Sequence, residues 1–384
     1  MKGHIRRRGE HSWELKFDIG ADPLTGKRLT RYHSFKGTKR EAQSELTRLL
    51  AAADAGSYVD PSKATLSEYL DRWERDWAAV NVSPKTIERY RELLKKHVRP
   101  HLGALRVQKL RPINLSELYA KLLREGRSEG SGLAPRTVGH VHRVLHKALV
   151  VAVEWGLIQQ NPADVAKPPK AAAAEVAILK DEEVGKVLRA LRGRSLYPIV
   201  ALALATGMRR GEILALRWKN FDDKSGTVRV VESLEQTKAG LRFKEPKTKH
   251  GRRAVALPAS VLADLRTHRA AQQELRLSLG LGRLPDDALV FPSFEGTPRS
   301  PNALTREWTR ATIDLNLPRV SLHALRHTHA SQLIAAGMDV LTISRRLGHG
   351  SPTITLGVYG HLFANTDERA AEIIESAFAR AKTE

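Results

Sequence analysis

The chain has 384 residues, which predicts two or three domains that each bury their own core. Its 64 Lys and Arg residues outnumber its 42 Asp and Glu residues, and the resulting net charge of +22 predicts a nucleic-acid partner. Cysteine is absent, which excludes disulfides, thiolate zinc sites and cysteine nucleophiles, and the lack of a long apolar run or a signal-peptide pattern predicts an intracellular protein without a membrane partner.

Residues 1–60 are predicted to form a small three-stranded sheet with one helix. Apolar residues alternate with charged ones over Trp13–Ile19, which is the period of two of a half-buried strand. A further strand is predicted over Arg28–Phe35. Thr38–Glu41 has the pattern of a capping box, which predicts a helix that runs to about Ala53.

The same segment carries much of the positive charge. Residues 1–40 contain a run of arginines, Arg6, Arg7 and Arg8, close to the aromatic residues Trp13 and Tyr32. Arginine and aromatic side chains on a small sheet favour contact with DNA, so Arg6, Arg7, Arg8 and Trp13 are candidate DNA-binding residues. The alternative is a basic, solvated sheet that only aids solubility.

Residues 64–166 are predicted to form a helical domain. Thr65–Glu68 is a second capping box, and apolar residues follow it at helical spacing. Further helices are predicted to begin where a capping residue or a proline suits an N-terminus, near Ser83–Pro84, Asn114–Leu115 and Pro135.

Exposed basic residues of this helical domain, Lys85 and Arg89 among them, are candidate phosphate ligands. The alternative is a domain that serves only as a connector. Lys167–Ala174 contains paired prolines and no amphipathic period, which predicts a linker to the next domain.

Residues 175–384 are predicted to form a mixed α+β domain. Helical patterns surround a strand-like stretch at Thr227–Leu257. Asp367–Lys382 has apolar residues at helical spacing, and a neighbouring protomer is one candidate for what covers them. The chain as a whole is therefore predicted to be multidomain and mainly α, with small β-sheets.

An arginine motif lies where an apolar helix ends. Thr206–Glu212 contains a glycine-permitted bend that begins a new helix, with Arg209 in its first turn. A guanidinium can grip two non-bridging phosphate oxygens, and Glu212, one helical turn later, can hold it in place. The alternative is a solvated arginine pair on a helix surface.

A second motif combines histidine and arginine. His323 and Arg326 are three residues apart and share one helix face. Leu347–His349 follows, and Tyr359 stands ten residues after His349. His323, His327 and His329 could alternatively ligate zinc, but this stretch lacks the glutamate of a His-Glu-x-x-His helix.

These residue types suit attack on a phosphodiester by a tyrosine. A tyrosine hydroxyl has a pKa near 10, so it needs cationic neighbours or a base to become a nucleophile. Negative charge that develops on phosphate oxygens is stabilised by preorganised donors, at roughly 3–4 kcal/mol each. Arg209 and Arg326 are the donors that the sequence offers.

Four motifs resemble, in their order and spacing, the catalytic boxes of the tyrosine recombinase (phage integrase) family. They are Arg209, the His323-x-x-Arg326 pair, Leu347–His349 and Tyr359. The resemblance is close from Leu196 to Leu362 and looser elsewhere. It implies a three-domain, arm-binding integrase of a temperate phage or integrative element, with a basic N-terminal domain, a SAM-like core-binding domain and a catalytic domain.

The resemblance also implies roles for the motif residues. Tyr359 would form a 3′-phosphotyrosyl bond with DNA, His323 would exchange a proton with the tyrosine, and His349 would donate a hydrogen bond to the phosphate. The family also uses a lysine, on a β-hairpin between the first two boxes, to protonate the leaving 5′ oxygen. Lys249, next to the turn, is our preferred candidate over Lys247, and a backbone contact without a chemical role is the alternative.

The implied partners are double-stranded DNA attachment sites of core and arm types, a homotetramer on DNA, and an excision or DNA-bending accessory protein. No cofactor and no metal are expected, because the phosphotyrosyl bond keeps the energy of the broken phosphodiester. The expected place of action is the cytoplasm of a bacterial host, at the nucleoid. The alternatives are an Xer-like chromosome or plasmid resolvase, whose relatives usually lack the N-terminal basic sheet, and a DNA-binding regulator that does not cleave.

Overall fold

The computed structural model describes residues 3–22, 25–127, 129–172, 177–246 and 249–363, and in the tail residues 371, 372, 374, 375 and 378. The chain divides into two compact units, residues 1–172 and 173–384. Within the described ranges, no helix has the length and apolarity that a membrane crossing requires.

The first unit begins with the predicted sheet and helix: β1 (Gly3–Gly9), β2 (Ser12–Ala21), β3 (Arg28–Lys36) and α1 (Lys39–Asp54). The strands are antiparallel in the order β1-β2-β3. Thr38 and Glu41 form the predicted capping box at the start of α1. Leu15 and Phe17 pack against Ala42 and Leu46 of α1, so the three-stranded sheet with one helix is confirmed.

The pairing register decides which residues the helix covers. Leu15 and Phe17 point toward α1, so Lys16, between them, points to the opposite face. Arg6 pairs with Glu14 and Tyr32 pairs with Lys16, which places all four on that opposite face. We call this surface the open face of the sheet.

The rest of the first unit is helical: α2 (Leu66–Trp73), α3 (Ala79–Asn81), α4 (Pro84–His97), α5 (Arg99–Leu102), α6 (Pro112–Glu125) and α7 (Pro135–Glu154). The predicted helix starts at Pro84 and Pro135 are confirmed. Helix α6 starts two residues before Asn114, because the Asn114 side chain accepts a hydrogen bond from the Arg111 N–H and so caps the helix from inside its first turn.

One element of this helical region is absent from the sequence prediction. Glu74–Ala78 is a π-helical turn between α2 and α3. Around it, the ring of Trp73 stacks on the rings of Trp77 and Tyr90, at centroid distances of 5.7 Å and 5.9 Å. These three aromatic rings pack together where the π-helical turn interrupts the α-helical spacing.

The second unit is mixed, with a three-stranded sheet in the order β4-β5-β8 and a separate hairpin of β6 and β7. The strands are β4 (Phe221–Asp222), β5 (Thr227–Val230), β6 (Ser233–Thr237), β7 (Gly240–Lys244) and β8 (Arg253–Ala256). The helices are α8 (Asp181–Leu191), α9 (Tyr197–Thr206), α10 (Arg210–Leu214), α11 (Ala259–Ser278), α12 (Pro301–Asp314), α13 (Ala324–Ala335), α14 (Val340–Leu347) and α15 (Pro352–Tyr359).

Helix α9 lies at the centre of this unit. It is apolar on all sides, and Ile199, Val200 and Leu202 are almost completely buried in the main core. A second, smaller core joins α13, α14 and α15 through Ala330, Ile343 and Leu347, and the ring of Tyr359 is part of it. The ends of these helices hold the residues of the candidate site.

The predicted tail helix falls mostly outside the described residues. Ala370 and Ile373 lie outside them, whereas Ile374 and Phe378 are described and exposed.

Candidate active site

Arg209 is positioned by the abrupt end of α9. Gly207 has φ 64°, a left-handed conformation that favours glycine, and an added Cβ would come within 2.7 Å of Leu347 Cδ2. The chain therefore turns sharply, and Arg209 becomes the N-cap of α10 with an extended backbone, one position before the first turn where the sequence placed it.

Glu212 holds Arg209 and also a second arginine. Its carboxylate accepts hydrogen bonds from the Arg209 backbone N–H at 3.0 Å and from Arg209 Nη1 at 2.8 Å. Its Oε2, which accepts the Arg209 backbone N–H, also pairs with Arg253 Nη2 at 2.9 Å. The side chains of Glu212 and Arg253 are 4% and 6% exposed, so this ion pair is buried.

Arg253 links three segments of the site. Besides Glu212, its Nε donates to the Arg346 carbonyl at 2.7 Å, and its Nη1 donates to the Gly251 carbonyl at 3.3 Å. A Cβ on Gly348 would lie 2.8 Å from Arg253 Nη1, so the guanidinium packs directly on the backbone of that glycine. Arg253 thus joins the arginine motif to the segment before His349.

Arg326 is the second predicted phosphate ligand, and it is almost completely buried. Its Nη1 donates to the Gly207 carbonyl at 2.6 Å and its Nη2 donates to the Leu347 carbonyl at 2.8 Å. These two bonds tie α13 to the ends of α9 and α14. Burial, with Arg209 as the next cause, lowers the pKa of Arg326 to about 9.

His349 follows a left-handed glycine, Gly348, that ends α14. Its Nδ1 lies 2.8 Å from Thr355 Oγ1 of α15, which fixes the ring orientation. Burial and the cations Arg326 and Arg209 lower the pKa of His349 to about 4. His349 is therefore neutral at pH 7.

Tyr359 is the last residue of α15, and it is 1% exposed. Its hydroxyl lies 2.7 Å from Nδ1 of His327, and the two rings meet edge to face at 5.6 Å between centroids. Burial raises the pKa of Tyr359, and Arg326 opposes that rise. The sequence assigned the tyrosine's proton to His323, whereas the group in contact with the hydroxyl is His327.

His323 stands beside this pair. It is the N-cap of α13, and its ring meets the ring of His327 edge to face at 4.8 Å between centroids. Desolvation, His327 and Arg326 together lower the pKa of His323 to about 4, although the residue as a whole is exposed.

His329 has a structural place in the same helix. Its Nδ1 donates to the Leu204 carbonyl at 2.7 Å, and its Nε2 accepts from Arg346 Nε at 3.0 Å. Both ring nitrogens are therefore engaged. In the part of the chain that the structure describes, no group of three or more His, Asp and Glu side chains could hold a metal ion.

The lysine candidates lie in a different local structure from the one expected. The hairpin of this region joins β6 to β7, whereas Lys249 begins a 3-10 turn, Lys249–Gly251, that leads into β8. Strand β7 ends at Lys244, and β8 pairs with β5 rather than with β7. Lys247 lies outside the described residues, and for Lys249 only the backbone is described.

The site therefore concentrates positive charge. Arg209, Arg253, Arg326 and Arg346 lie within one network, in which Glu212 provides the carboxylate for two of them. Three of its histidines have a pKa lowered to about 4, in each case first by burial and then by cations or imidazoles nearby. An arrangement of this kind favours a bound anion.

Comparison with known proteins identifies the family. Residues 178–366 match the Phage integrase family, and residues 65–123 match the Phage integrase N-terminal SAM-like domain. The chain belongs to the phage integrase family. Members of this tyrosine recombinase family catalyse site-specific cleavage and rejoining of DNA.

Similar proteins align with nearly the whole chain. A tyrosine recombinase XerC-like protein of Caldanaerobacter subterraneus is 27% identical over 98% of this chain and 99% of its own. The ICEBs1 integrase of Bacillus subtilis is 27% identical over 97% and 99%, and an integrase of Streptomyces ambofaciens is 28% identical over 96% and 94%.

Solved structures share the fold. The Tn1549 transposon integrase in complex with transposon right end DNA superposes with a TM-score of 0.67 at 22% identity, over 82% of this chain and 99% of that one. A lambda integrase dimer bound to a COC' core site gives 0.55 at 19% identity, over 94% and 95%. The predicted fold class, with a SAM-like helical domain and an integrase catalytic domain, is confirmed.

The candidate DNA-binding residues of the integrase's sheet fall into two groups. Arg6, Arg7 and Arg8 are exposed on β1, with Arg6 on the open face and Arg8 paired to Glu14 at 2.8 Å. Trp13 is half-buried against the core on the α1 side and donates its indole N–H to the Gly37 carbonyl at 2.9 Å. Its position is that of a packing residue.

Lys85 and Arg89 are exposed on α4, where each forms an ion pair within its own helix. Arg89 also borders a cleft of about 490 Å³ between α4 and α7, and several basic side chains of α7 line the same cleft. These are His140, Arg143, His146 and Lys147.

Sequence reasoning missed two residues at the centre of the candidate site. Arg253 was given no role, and His327 was weighed only as a zinc ligand. The spacing of His327, four residues after His323, places both rings on one face of α13, and that signal was available. No local signal connects Arg253 to Glu212.

Proposed function

We propose that this protein is an integrase that cleaves and rejoins double-stranded DNA with Tyr359 as its nucleophile. The observation that carries the proposal is the convergence of Tyr359 with Arg209, Arg326 and His349 on one cation-rich site. A phosphodiester supplies the anion that such a site favours.

In the proposed reaction, Arg209 and Arg326 hold the non-bridging oxygens of the scissile phosphate, and His349 donates a hydrogen bond to it. Glu212 keeps Arg209 in place. Tyr359 attacks the phosphorus, the bond to the 5′ oxygen breaks, and Lys249 supplies the proton that this oxygen takes up. Rejoining reverses these steps, with the energy of the first bond retained in the 3′-phosphotyrosyl bond.

The remaining parts of the chain support the choice of an integrase that binds two kinds of DNA site. We assign residues 1–60 to arm-type DNA, 64–166 to core DNA and 175–384 to catalysis. The first two segments have separate hydrophobic cores, and each carries exposed basic residues. In this proposal, the protein acts as a homotetramer on DNA in a bacterial cytoplasm. It integrates and excises a mobile element, aided by an excision or DNA-bending protein.

The test uses a nicked duplex that carries the attachment site. The wild-type chain is expected to form a covalent protein–DNA adduct in EDTA, and Tyr359→Phe is expected to form none, because phenylalanine lacks the attacking oxygen. Tyr197→Phe is the matched control, since that hydroxyl donates a hydrogen bond to Asp264 at 3.0 Å and takes no part in the proposed site. An adduct that persists in Tyr359→Phe refutes the assignment of Tyr359 as the nucleophile. If the wild-type chain neither forms an adduct nor relaxes plasmid DNA, the protein is a DNA-binding regulator that does not cleave.

An Xer-like chromosome or plasmid resolvase is the second candidate, and the relative named XerC-like favours it. The basic N-terminal sheet favours the integrase. Sequencing the DNA on both sides of the gene discriminates the two: direct repeats that bound a mobile element are expected for the integrase, and their absence favours the resolvase.

A further inference from the structure

We propose that His327, rather than His323, accepts the phenolic proton of Tyr359 during DNA cleavage. The proposal rests on the proposed function and deepens it by naming the base. The contact that carries it is the 2.7 Å separation of His327 Nδ1 and the Tyr359 hydroxyl oxygen. The edge-to-face contact of the two rings orients the imidazole toward that hydroxyl.

A base is needed at this position because Tyr359 is not an anion beforehand. A phenol with a pKa near 10 is roughly 0.1% ionised at pH 7. Burial raises the pKa of Tyr359 further, and the opposing effect of Arg326 is smaller. The proton must therefore leave as the oxygen attacks.

His327 has the protonation state of a base. Burial, and then Arg326, lower its pKa from 6.5, so the ring is neutral at pH 7. A neutral imidazole whose Nδ1 faces a hydroxyl can accept its proton while Nε2 carries the other hydrogen. The charged and titratable groups around it are His323 and Arg326 of α13 and Tyr359 of α15, and the nearby cations Arg209 and Arg210 lower the pKa of His323.

The other histidines of the site are engaged elsewhere. The Nδ1 of His349 is bound to Thr355, and both nitrogens of His329 are occupied by Leu204 and Arg346. His323 packs against the ring of His327, and among the described residues no hydrogen bond joins it to Tyr359. Geometry therefore selects His327.

The step balances without a co-reactant. The proton moves from the Tyr359 oxygen to His327 Nδ1 as the oxygen–phosphorus bond forms. The bond between phosphorus and the 5′ oxygen breaks, and that oxygen takes its proton from Lys249. On rejoining, a 5′ hydroxyl displaces the tyrosine, and His327 returns the proton to the phenolate oxygen.

The test compares His327→Asn with His323→Asn in single-turnover adduct formation on the nicked duplex, between pH 5 and pH 8. Asparagine can place an oxygen near the former Nδ1 but is not a base. We expect His327→Asn to slow the reaction about 10²–10⁴-fold at pH 7. For the wild type we expect a fall in rate at a pH below 6.5, as His327 becomes protonated, and we expect His327→Asn to remove that fall. His323→Asn is expected to keep that fall.

A fluorinated tyrosine at position 359 separates a base from a packing residue. Fluorine lowers the pKa of the phenol, so it should restore more rate to His327→Asn than to the wild type. The proposal is overturned if His327→Asn reacts slowly but keeps the pH profile of the wild type and gains no extra rate from the fluorinated tyrosine. It is also overturned if His323→Asn is the variant that loses the decrease in rate at low pH and His327→Asn keeps it. A faster His327→Asn also overturns it, because His327 would then hold Tyr359 in its buried position.

Three further outcomes each lead to a decision on His327. If His327→Asn does not fold, the fluorinated tyrosine is placed at position 359 of the wild-type chain. If the protonation of His327 causes the decrease in rate at low pH, the decrease occurs at the same pH as before. If the decrease moves to lower pH, the titrating group is the tyrosine, and the proposal is overturned. If the wild type forms no adduct, the proposed function fails and this inference fails with it. If the wild type forms one and His327→Asn matches its rate, only the inference fails.

Discussion

A single buried carboxylate holds two arginines that have different roles. Glu212 pairs with Arg209, the proposed phosphate ligand, and with Arg253, which contacts the segments on either side of the site. Desolvation raises the pKa of Glu212, but Arg253 and Arg209 outweigh it, and the net pKa lies below 4.5. The carboxylate is therefore ionised at neutral pH, and neither arginine is without a counter-charge.

Replacement of Glu212 by Gln should destabilise the protein by roughly 3–5 kcal/mol, because it leaves Arg253 as an unpaired buried charge. Urea unfolding measures this loss. Asp223→Asn is the matched control, since Asp223 and Arg266 form an exposed pair whose loss should cost less than about 1 kcal/mol. Equal losses in the two variants would show that the buried pair has no special weight.

The same carboxylate should leave a mark on the pH dependence of stability. The folded pKa of Glu212 is lower than the ordinary value of 4.5, so its contribution is complete above pH 4.5 and is lost as the pH falls through the folded value. The free energy of unfolding of the wild type should therefore fall more steeply below pH 4.5 than that of Glu212→Gln. Parallel curves for the two proteins contradict this assignment.

At the residue scale, sequence predicted what spacing along one helix can reveal. Arg209 with Glu212, and His323 with Arg326, are local pairs, and the resemblance to integrases added Tyr359. Contacts between residues that are far apart in the sequence could not be predicted from local spacing. Arg253 is 41 residues from Glu212, and the two meet only because β8 pairs with β5.

At the element scale, the abrupt ends of the helices place the site. Helix α9 ends at Gly207, where the left-handed backbone and the closeness of Leu347 and His329 leave no room for a Cβ. The Gly207 carbonyl, freed by this turn, accepts the hydrogen bond of Arg326. One glycine therefore sets both the direction of Arg209 and the position of Arg326.

Gly207→Ala should destabilise the protein by more than the roughly 1–2 kcal/mol that a left-handed alanine costs, and it should slow adduct formation by moving Arg209. Gly337→Ala is the control for backbone strain alone, because Gly337 also has a positive φ, 77°, but an added Cβ would meet nothing within 4 Å. Thermal or urea unfolding gives the two losses. Equal losses with unchanged adduct formation would contradict the crowding argument.

Element boundaries followed the sequence where capping chemistry is local. The capping boxes at Thr38 and Thr65 and the proline starts at Pro84 and Pro135 are present in the structure. The π-helical turn at Glu74–Ala78 was not predicted, because neither a Gly nor a Pro marks it in the sequence, and the stacking of Trp73 on Tyr90 beside it joins two helices. The strand-like stretch was recognised, but its pairing, β5 with β8 around the β6–β7 hairpin, carries no local signature.

At the scale of the whole molecule, positive charge is distributed over parts that bind DNA separately in our proposal. The open face of the N-terminal sheet carries Arg6 and Lys16, and the cleft between α4 and α7 is lined by Arg89 and basic residues of α7. Two modest contacts on one chain raise the overall affinity for DNA that carries both kinds of site. Each contact then contributes its own share to the salt dependence of binding.

Arg6→Ala and Lys16→Ala should each lower the slope of log affinity against log salt concentration by about 0.9, the value for one lost phosphate contact on duplex DNA. Fluorescence anisotropy with a labelled duplex at several salt concentrations measures the slope. Arg48→Ala is the control for net charge, because Arg48 lies on α1, which covers the other face of the sheet, and pairs there with Glu45. If the open face binds phosphates, only the first two variants change the slope; if all three change it equally, the effect is one of total charge, and the sheet has no preferred DNA-binding face.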